Sequence, residues 1–298
     1  MKKGSCWLVQ NGFSKTESTR ISLEKLRQSL ESRNVDVQIK KHNLLPLYFD
    51  GDGKAVCEEK LPDFCIYWDK DVERAAMLEK CGVRVFNKSK VIELCDDKNK
   101  TFLELSGKNI PMPETITSPL LYPAFDEYDG MFADYVQKRL GYPMVIKEAY
   151  GSFGAQVYLA RDRSELEALR TRLKYIPHLY QRFVAASAGE DIRIIVVGGK
   201  AVAAMKRINK NDFRANIEVG GVGEQYAPSR EQTELAERIC RLIGADYIGV
   251  DLLTEGDKTL LCEVNTNAHF LFISRCTGVD VAGLYAEHVL KETYGSAD

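Results

Sequence analysis

The 298-residue sequence predicts a chain of α/β and α+β class, a βαβ lobe followed by two β-rich lobes. Three observations carry this expectation. Strand-like and helix-like segments alternate over the first 95 residues, a strand, a glycine loop and a second strand mark the middle, and hairpins with glycine turns dominate the end.

In the first lobe, residues 1–95, the apolar runs Cys6 to Gln10, Val35 to Lys40, Phe64 to Trp68 and Val83 to Phe86 read as strands. The amphipathic runs Thr19 to Ser32 and Val72 to Lys80 read as helices, because their apolar residues recur at three- and four-residue spacing. That alternation suggests a small parallel sheet flanked by helices. The second lobe, 96–186, starts at Asp96-Asp97-Lys98 with a helical segment to Ser106. Ile110-Pro111-Met112-Pro113 breaks it before an extended Glu114 to Thr117. A linker rich in Pro, Tyr and Asp, Ser118 to Gly130, precedes a helix (Met131 to Leu140), two strands (Pro143 to Ala149, Ala155 to Ala160) and another helix (Ser164 to Leu173). The third lobe, 187–298, holds two hairpins. Ile192 to Val197 turns at Gly198-Gly199 into Ala201 to Arg207, and Tyr247 to Thr254 turns near Gly256 into Thr259 to Asn265. Helices from Ser229 to Ile243 and Val281 to Tyr294 complete it.

Composition excludes several classes. With 45% hydrophobic and 28% charged residues the chain has enough apolar surface to fold and too little for a membrane protein. Lys plus Arg number 41 against 43 Asp plus Glu, so no basic footprint marks a nucleic-acid partner. Two N-terminal lysines precede only a short apolar stretch, which fits neither a signal peptide nor a spanning helix, and the expected location is the cytoplasm. Eight cysteines lie scattered without C-x-x-C or paired Cys/His spacing, so we read them as reduced and buried rather than as a zinc site.

The sharpest constellation is Asp251 in YIGVDLL with Glu263 and Asn265 in LLCEVNTN. Residues two apart on a strand face the same way, and a hairpin centred at Asp257 sets Asp251 opposite Glu263. Two acids and an amide suit Mg²⁺, which takes hard oxygen donors together with substrate phosphates. A hairpin that merely carries polar residues is the alternative, although Asp251 stands in an apolar run where an unpaired carboxylate is costly. In MVIKEAYGSFGAQVYLA, Lys147 ends a strand and Gly151-Ser152-Phe153-Gly154 joins it to the next. The glycines let backbone N–H groups approach a phosphate; alone, such a segment is more often a plain hairpin turn. Asp191 and Arg193 share a strand face, and a two-residue turn brings Lys206 opposite Asp191. The pair is either a ribose and phosphate contact or a simple cross-strand salt bridge. Arg214 and Asn216 in NDFRANIEVGG lie on one face if extended, placed either to stabilise charge on a transferring phosphoryl group or as a solvated basic loop.

Taken in order, the stretches DDK, MVIKEAYGSFGAQV, YQRFV, GEDIRIIVVGGKAVAA, DFRAN, GVDLL, CEVN and TGVDVAG resemble the ATP-grasp superfamily, most closely its RimK-type glutamate ligases. The resemblance covers roughly Asp96 to the end, and the first lobe is similar to a pre-ATP-grasp domain by position and pattern. It implies an ATP-grasp fold in which two β-rich subdomains sandwich ATP. It places the phosphates near Lys98, Lys147, Gly151, Ser152 and Gly154, the adenine at Gln181, Arg182, Phe183 and Val184, and the ribose at Asp191. It places the triphosphate at Arg214, Ala215 and Asn216, and two Mg²⁺ ions, for which Mn²⁺ substitutes, at Asp251, Glu263 and Asn265. Arg193, Arg207 and Arg214 are the implied catalytic cations. Two departures stand out. Where the family pattern continues Ser-Pro-Gly after the metal-binding Asn, this chain reads Thr266-Asn267-Ala268-His269-Phe270, and Arg182 stands where the hinge commonly carries an acid.

The implied activity is an ATP-dependent ligase that joins a carboxylate to an amine through an acyl phosphate, with glutamate or another amino acid and a small-molecule or peptide acceptor as partners. A homo-oligomer is compatible with it. The alternatives are a catalytically silent ATP-binding module and a small-molecule kinase on the same fold.

Overall fold

The computed structural model describes residues 4–14, 16–125 and 130–295. The lysines at 2 and 3 and part of the linker read above, residues 126–129, lie outside the described residues. The first lobe runs β1 (Gly4–Gln10), α1 (Glu17–Glu31), β2 (Val35–Lys41), β3 (Leu47–Phe49), β4 (Ala55–Cys57), β5 (Phe64–Trp68), α2 (Val72–Lys80) and β6 (Arg84–Phe86). Its sheet is parallel, in the order β2-β1-β5-β6. All five residues of β5 are buried, as a central parallel strand covered on both faces requires. The β3–β4 hairpin has no counterpart in the sequence reading, because strands of three residues carry no usable alternation. Its turn is held locally, the Asp50 carboxylate accepting from the Asp52 and Lys54 amides at 3.0 and 2.8 Å.

The helical segment expected from Asp96 to Ser106 forms as α4 (Lys98–Leu105), and a helix the sequence reading did not place, α3 (Ser89–Asp96), precedes it. Asp97 separates them by capping α4, its carboxylate accepting from Asn99 and Lys100 amides. The second sheet follows, from β7 (Thr115–Thr117), α5 (Met131–Leu140), β8 (Met144–Glu148), β9 (Val157–Ala160), α6 (Arg163–Leu173) and β10 (His178–Arg182). It is antiparallel, β7-β10-β8-β9. Ala133 and Val136 of α5 and Leu166 of α6 pack on Ile146 and Tyr180 of its covered face.

The third part comprises β11 (Glu190–Val197), β12 (Lys200–Ile208), β13 (Val222–Gln225), α7 (Arg230–Ile243), β14 (Tyr247–Glu255), β15 (Lys258–Asn265), α8 (Leu271–Thr277) and α9 (Val281–Tyr294). Its antiparallel sheet has the order β13-β12-β11-β14-β15. Ser229 and Gln232 form a capping box that starts α7, whose Leu235, Ala236, Ile239 and Ile243 cover Ile192, Ile194 and Val250 of the sheet. Val91, Cys95, Leu105 and Ile110 join this same core, so α3 and α4 pack against the third sheet. The final helix crosses back: Tyr285, Ala286 and Val289 of α9 share a core with Leu23, Leu26 and Leu30 of α1. All eight cysteines are free. Cys57, Cys81, Cys262 and Cys276 are only partly buried, which corrects the expectation that all are buried: Cys57 ends a strand, Cys81 follows a helix, Cys276 lies on the short α8 and Cys262, within β15, lines a cavity. Among the described residues no helix is long and apolar enough to cross a membrane.

Candidate active site

The third sheet has two chemically different faces because side chains alternate along each strand. One face carries Ile192, Ile194, Val250 and Val264 and lies under α7. The other carries a row of ionised residues that the strand register aligns. Asp251 of β14 is opposite Arg193 of β11 and, as expected, Glu263 of β15; the turn is centred between Gly256 and Asp257, and a register shift between Asp251 and Leu252 restores that facing, while Asn265 is opposite Gly249. The expected facing of Lys206 and Asp191 fails. A bulge at Ile195/Val196 adds a residue and shifts the β11–β12 register, which brings Arg207 opposite Asp191. Lys206 therefore leaves the row and pairs with Glu190 at 2.6 Å.

Arg207 is 2% exposed and organises the row. Its Nε and Nη2 donate to Asp191 at 2.6 and 2.5 Å, and Nη2 donates also to Asp251 at 2.9 Å. Arg193 donates through Nε and Nη2 to both oxygens of Asp251 at 2.7 Å. Burial alone would raise the Asp251 pKa, but the two guanidinium groups outweigh it and hold the carboxyl at about 2. Asp251 is thus charged at neutral pH and its oxygens are already engaged. Glu263 keeps a freer carboxylate, 3.6 Å from the Lys98 ammonium.

Two cavities meet along this row, and Asn216 and Glu263 line both. The first is walled by the hinge, Gln181, Arg182, Phe183 and Val184, and by Lys147, Gly154, Asp191, Arg207, Arg214, Ala215 and Asp251. Arg182 turns its guanidinium to Glu255, at 2.7 and 2.9 Å, so the departure from an acidic hinge residue is answered by an acid on β14. Arg214 reaches from the loop before β13 to the glycine loop, where Nη1 donates to the Gly154 carbonyl at 2.8 Å. At Gly154, φ is +74° and a Cβ would stand 2.8 Å from Asn216 Oδ1, so this position demands glycine. Gly151 and Lys98 line neither cavity. A Cβ on Gly151 would meet the Gln156 side chain, and Lys98 acts through Glu263.

Lys147 is 5% exposed, and its ammonium donates to Cys262 Sγ at 3.6 Å. Among the described residues it has no carboxylate at ion-pair distance, so a buried positive charge faces a cavity that already holds Arg207 and Arg214. Such a site suits a polyanion, because bound phosphate would supply the missing countercharge. The oxygen donors of Glu263 and Asn265 fit a divalent cation at the junction of the cavities. Asp251 would join them only by giving up part of its bonding to the arginines.

The second cavity holds Ser152, Arg193, Glu263 and Asn265, as well as residues the sequence reading missed. Asn11, Trp68, Asp69 and Lys70 come from the first lobe, just beyond the carboxyl ends of β1 and β5. The one available signal was topological, since ligands of parallel sheets bind outside the carboxyl ends of the strands. Lys70 pairs with Asp96 at 2.5 Å and donates to Ser152 Oγ at 3.1 Å, tying that lobe to the glycine loop. Cys262 in the first cavity was also missed, because a cysteine within an apolar run reads as core.

Comparison with known proteins accords with this geometry. The family model for the RimK-like ATP-grasp domain matches residues 95–289. Beta-citrylglutamate synthase B of Danio rerio is 35% identical over 234 residues, 78% of this chain and 56% of that protein. N-acetylaspartylglutamate synthase A of Homo sapiens is 32% identical over 234 residues, 78% of this chain and 58% of that protein. The chain therefore spans a little over half the length of these relatives. A RimK domain ATP-grasp protein from Sphaerobacter thermophilus DSM 20745 shares the fold at a TM-score of 0.75 and 22% identity, over 95% of this chain and 98% of that one.

Proposed function

The chain belongs to the RimK-like ATP-grasp family, and from that premise we propose that it is an ATP-dependent carboxylate–amine ligase. The observation that carries this reading is the pair of adjoining cavities sharing Glu263 and Asn216, one holding the buried Lys147 ammonium, which has no carboxylate at ion-pair distance among the described residues, and the other mixed and polar. A nucleotide in the first and an acid in the second would meet at Glu263. Both relatives are named for products that contain glutamate joined to a polycarboxylic acid. Glutamate as the amine and a small polycarboxylate as the acid are the substrates we assign.

The hinge backbone would take the adenine, Asp191 the ribose, and Lys147, Arg214 and the glycine loop the phosphates. Glu263, Asn265 and Asp251 would hold two Mg²⁺ ions, or Mn²⁺ in their place, which when bound neutralise phosphate charge. An oxygen of the acid attacks the γ-phosphorus, the bond to the β-phosphate oxygen breaks, and ADP leaves. The amine nitrogen then attacks the acyl carbon of the acyl phosphate, the C–O bond breaks and phosphate departs. Lys147, Arg207 and Arg214 stabilise the negative charge that develops in the first step, and no protein nucleophile takes part. Arg193, whose Nε and Nη2 bond to Asp251, directs Nη1 to a substrate carboxylate at the wall of the second cavity.

A phosphate-release assay tests the reading: glutamate with citrate or N-acetylaspartate should give ADP and phosphate only when both partners are present, with an amide as product by mass. Hydrolysis indifferent to every acid and amine offered would sink it. A stable phosphorylated acid without amide would identify a kinase instead.

A further inference from the structure

The second cavity ends on the loop that departs from the family pattern, and this loop is rigidly held. Thr266 and Phe270 are buried, Phe270 packs edge-on against Trp68 with ring centroids 5.6 Å apart, and the Ala268 carbonyl accepts from the Tyr247 hydroxyl at 2.5 Å. Gly249 leaves the room that Ala268 occupies, since a Cβ there would come within 2.4 Å of the alanine methyl. Between these anchors His269 lines the cavity, its ring 5.8 Å from that of Phe153 at the tip of the glycine loop.

Its two ring nitrogens differ. Nδ1 is sealed from solvent and has no hydrogen-bond partner among the described residues. A buried N–H without an acceptor costs more than a buried lone pair, so the proton belongs on Nε2, the nitrogen left to meet the cavity. Burial also lowers the His269 pKa, Glu218 pulling it up and Arg193 pushing it down, which keeps the ring neutral at physiological pH. Glu218 and Arg193 line the same cavity. Lys70 is occupied by Asp96 and the glycine loop, so the cavity donors open to a substrate anion include Arg193 Nη1 and His269 Nε2–H.

We propose that His269, through Nε2–H and beside Arg193, binds the α-carboxylate of the amino-acid substrate, and so selects an amino acid over its α-amide. The inference rests on the ligase reading for the presence of an amino acid, but its test does not require turnover. The protein loaded with Mg²⁺ and a non-hydrolysable ATP analogue is titrated calorimetrically with glutamate and with glutamate α-amide. The wild type should prefer glutamate. His269→Leu should weaken glutamate binding roughly tenfold or more, as loss of a hydrogen bond to a charged group implies, and leave the amide unchanged. His269→Gln, whose amide N–H reaches as far as Nε2, should restore much of the preference. An unchanged affinity for the ATP analogue shows that each variant is folded.

Equal glutamate binding by wild type and His269→Leu overturns the assignment, as does failure of the wild type to bind glutamate, or a loss that is the same for glutamate and amide. If the preference holds while no substrate pair releases phosphate, the clamp stands and the ligase reading falls.

Discussion

At the scale of single residues, Glu263 and Arg207 separate two kinds of contribution. Glu263 is partly exposed at the meeting point of the cavities, so removing its carboxylate costs the fold little. Glu263→Ala should lower kcat at least a hundredfold with the melting temperature within a few degrees of wild type, measured by phosphate release and calorimetry. Arg207 instead bridges two buried acids. Arg207→Met leaves Asp191 without its partner, and chemical denaturation at pH 7 should show a loss of about 3–5 kcal/mol. Asp251 gives a pH signature. Its folded pKa, about 2, lies below the unfolded value of about 3.9, so its stabilisation is full above the unfolded value and is lost as pH falls through the folded one. Unfolding free energy should therefore decline between roughly pH 4 and 2, and less steeply in Asp251→Asn. The acids and Arg193 were visible as spacing. The partner of Asp191 was not, because one bulge in β11 moved Arg207 into the place predicted for Lys206.

At the scale of elements, the glycine loop between β8 and β9 is defined by contacts from outside itself. Lys70 fastens Ser152, Arg214 fastens the Gly154 carbonyl, and His269 meets Phe153. Gly154→Ala would place a methyl against Asn216 in a left-handed conformation, a strain of about 1–2 kcal/mol. The expected result is a KM for ATP raised at least severalfold, with only a small drop in melting temperature. Most elements were legible because their periodicity or caps are local, as in α7 with its Ser229–Gln232 box. The elements missed are short: β3 and β4, β13, the eight-residue α3, and α8, whose seven residues cover barely two turns. Their order comes from neighbours, as when Phe272 of α8 lies against Gly223 of β13, where a Cβ would meet its ring at 2.4 Å.

At the scale of the whole molecule, the last helix completes the first lobe. Val289 is fully buried in the core shared by α1 and α9. A carboxylate there has no partner, so Val289→Asp should cost several kcal/mol. Both tryptophans, Trp7 and Trp68, lie in the first lobe, far from residue 289 along the chain. Their fluorescence should nevertheless shift at clearly lower denaturant in this variant; an unchanged midpoint would mean that α9 is dispensable to the lobe. The same long-range closure brings Asn11, Asp69 and Lys70 to the cavity that His269 lines, so that cavity is built from both ends of the chain.

Local patterns determined the βαβ lobe, the two hairpins and the shared strand face of Glu263 and Asn265, because each depends on spacing within one strand, turn or helix. Tertiary structure alone decided which acid each arginine neutralises, that α9 belongs to the first lobe, and that two cavities share Glu263. Those features depend on register shifts and on contacts between segments far apart in the chain, where the energy comes from burial and charge pairing that only the assembled sheets supply.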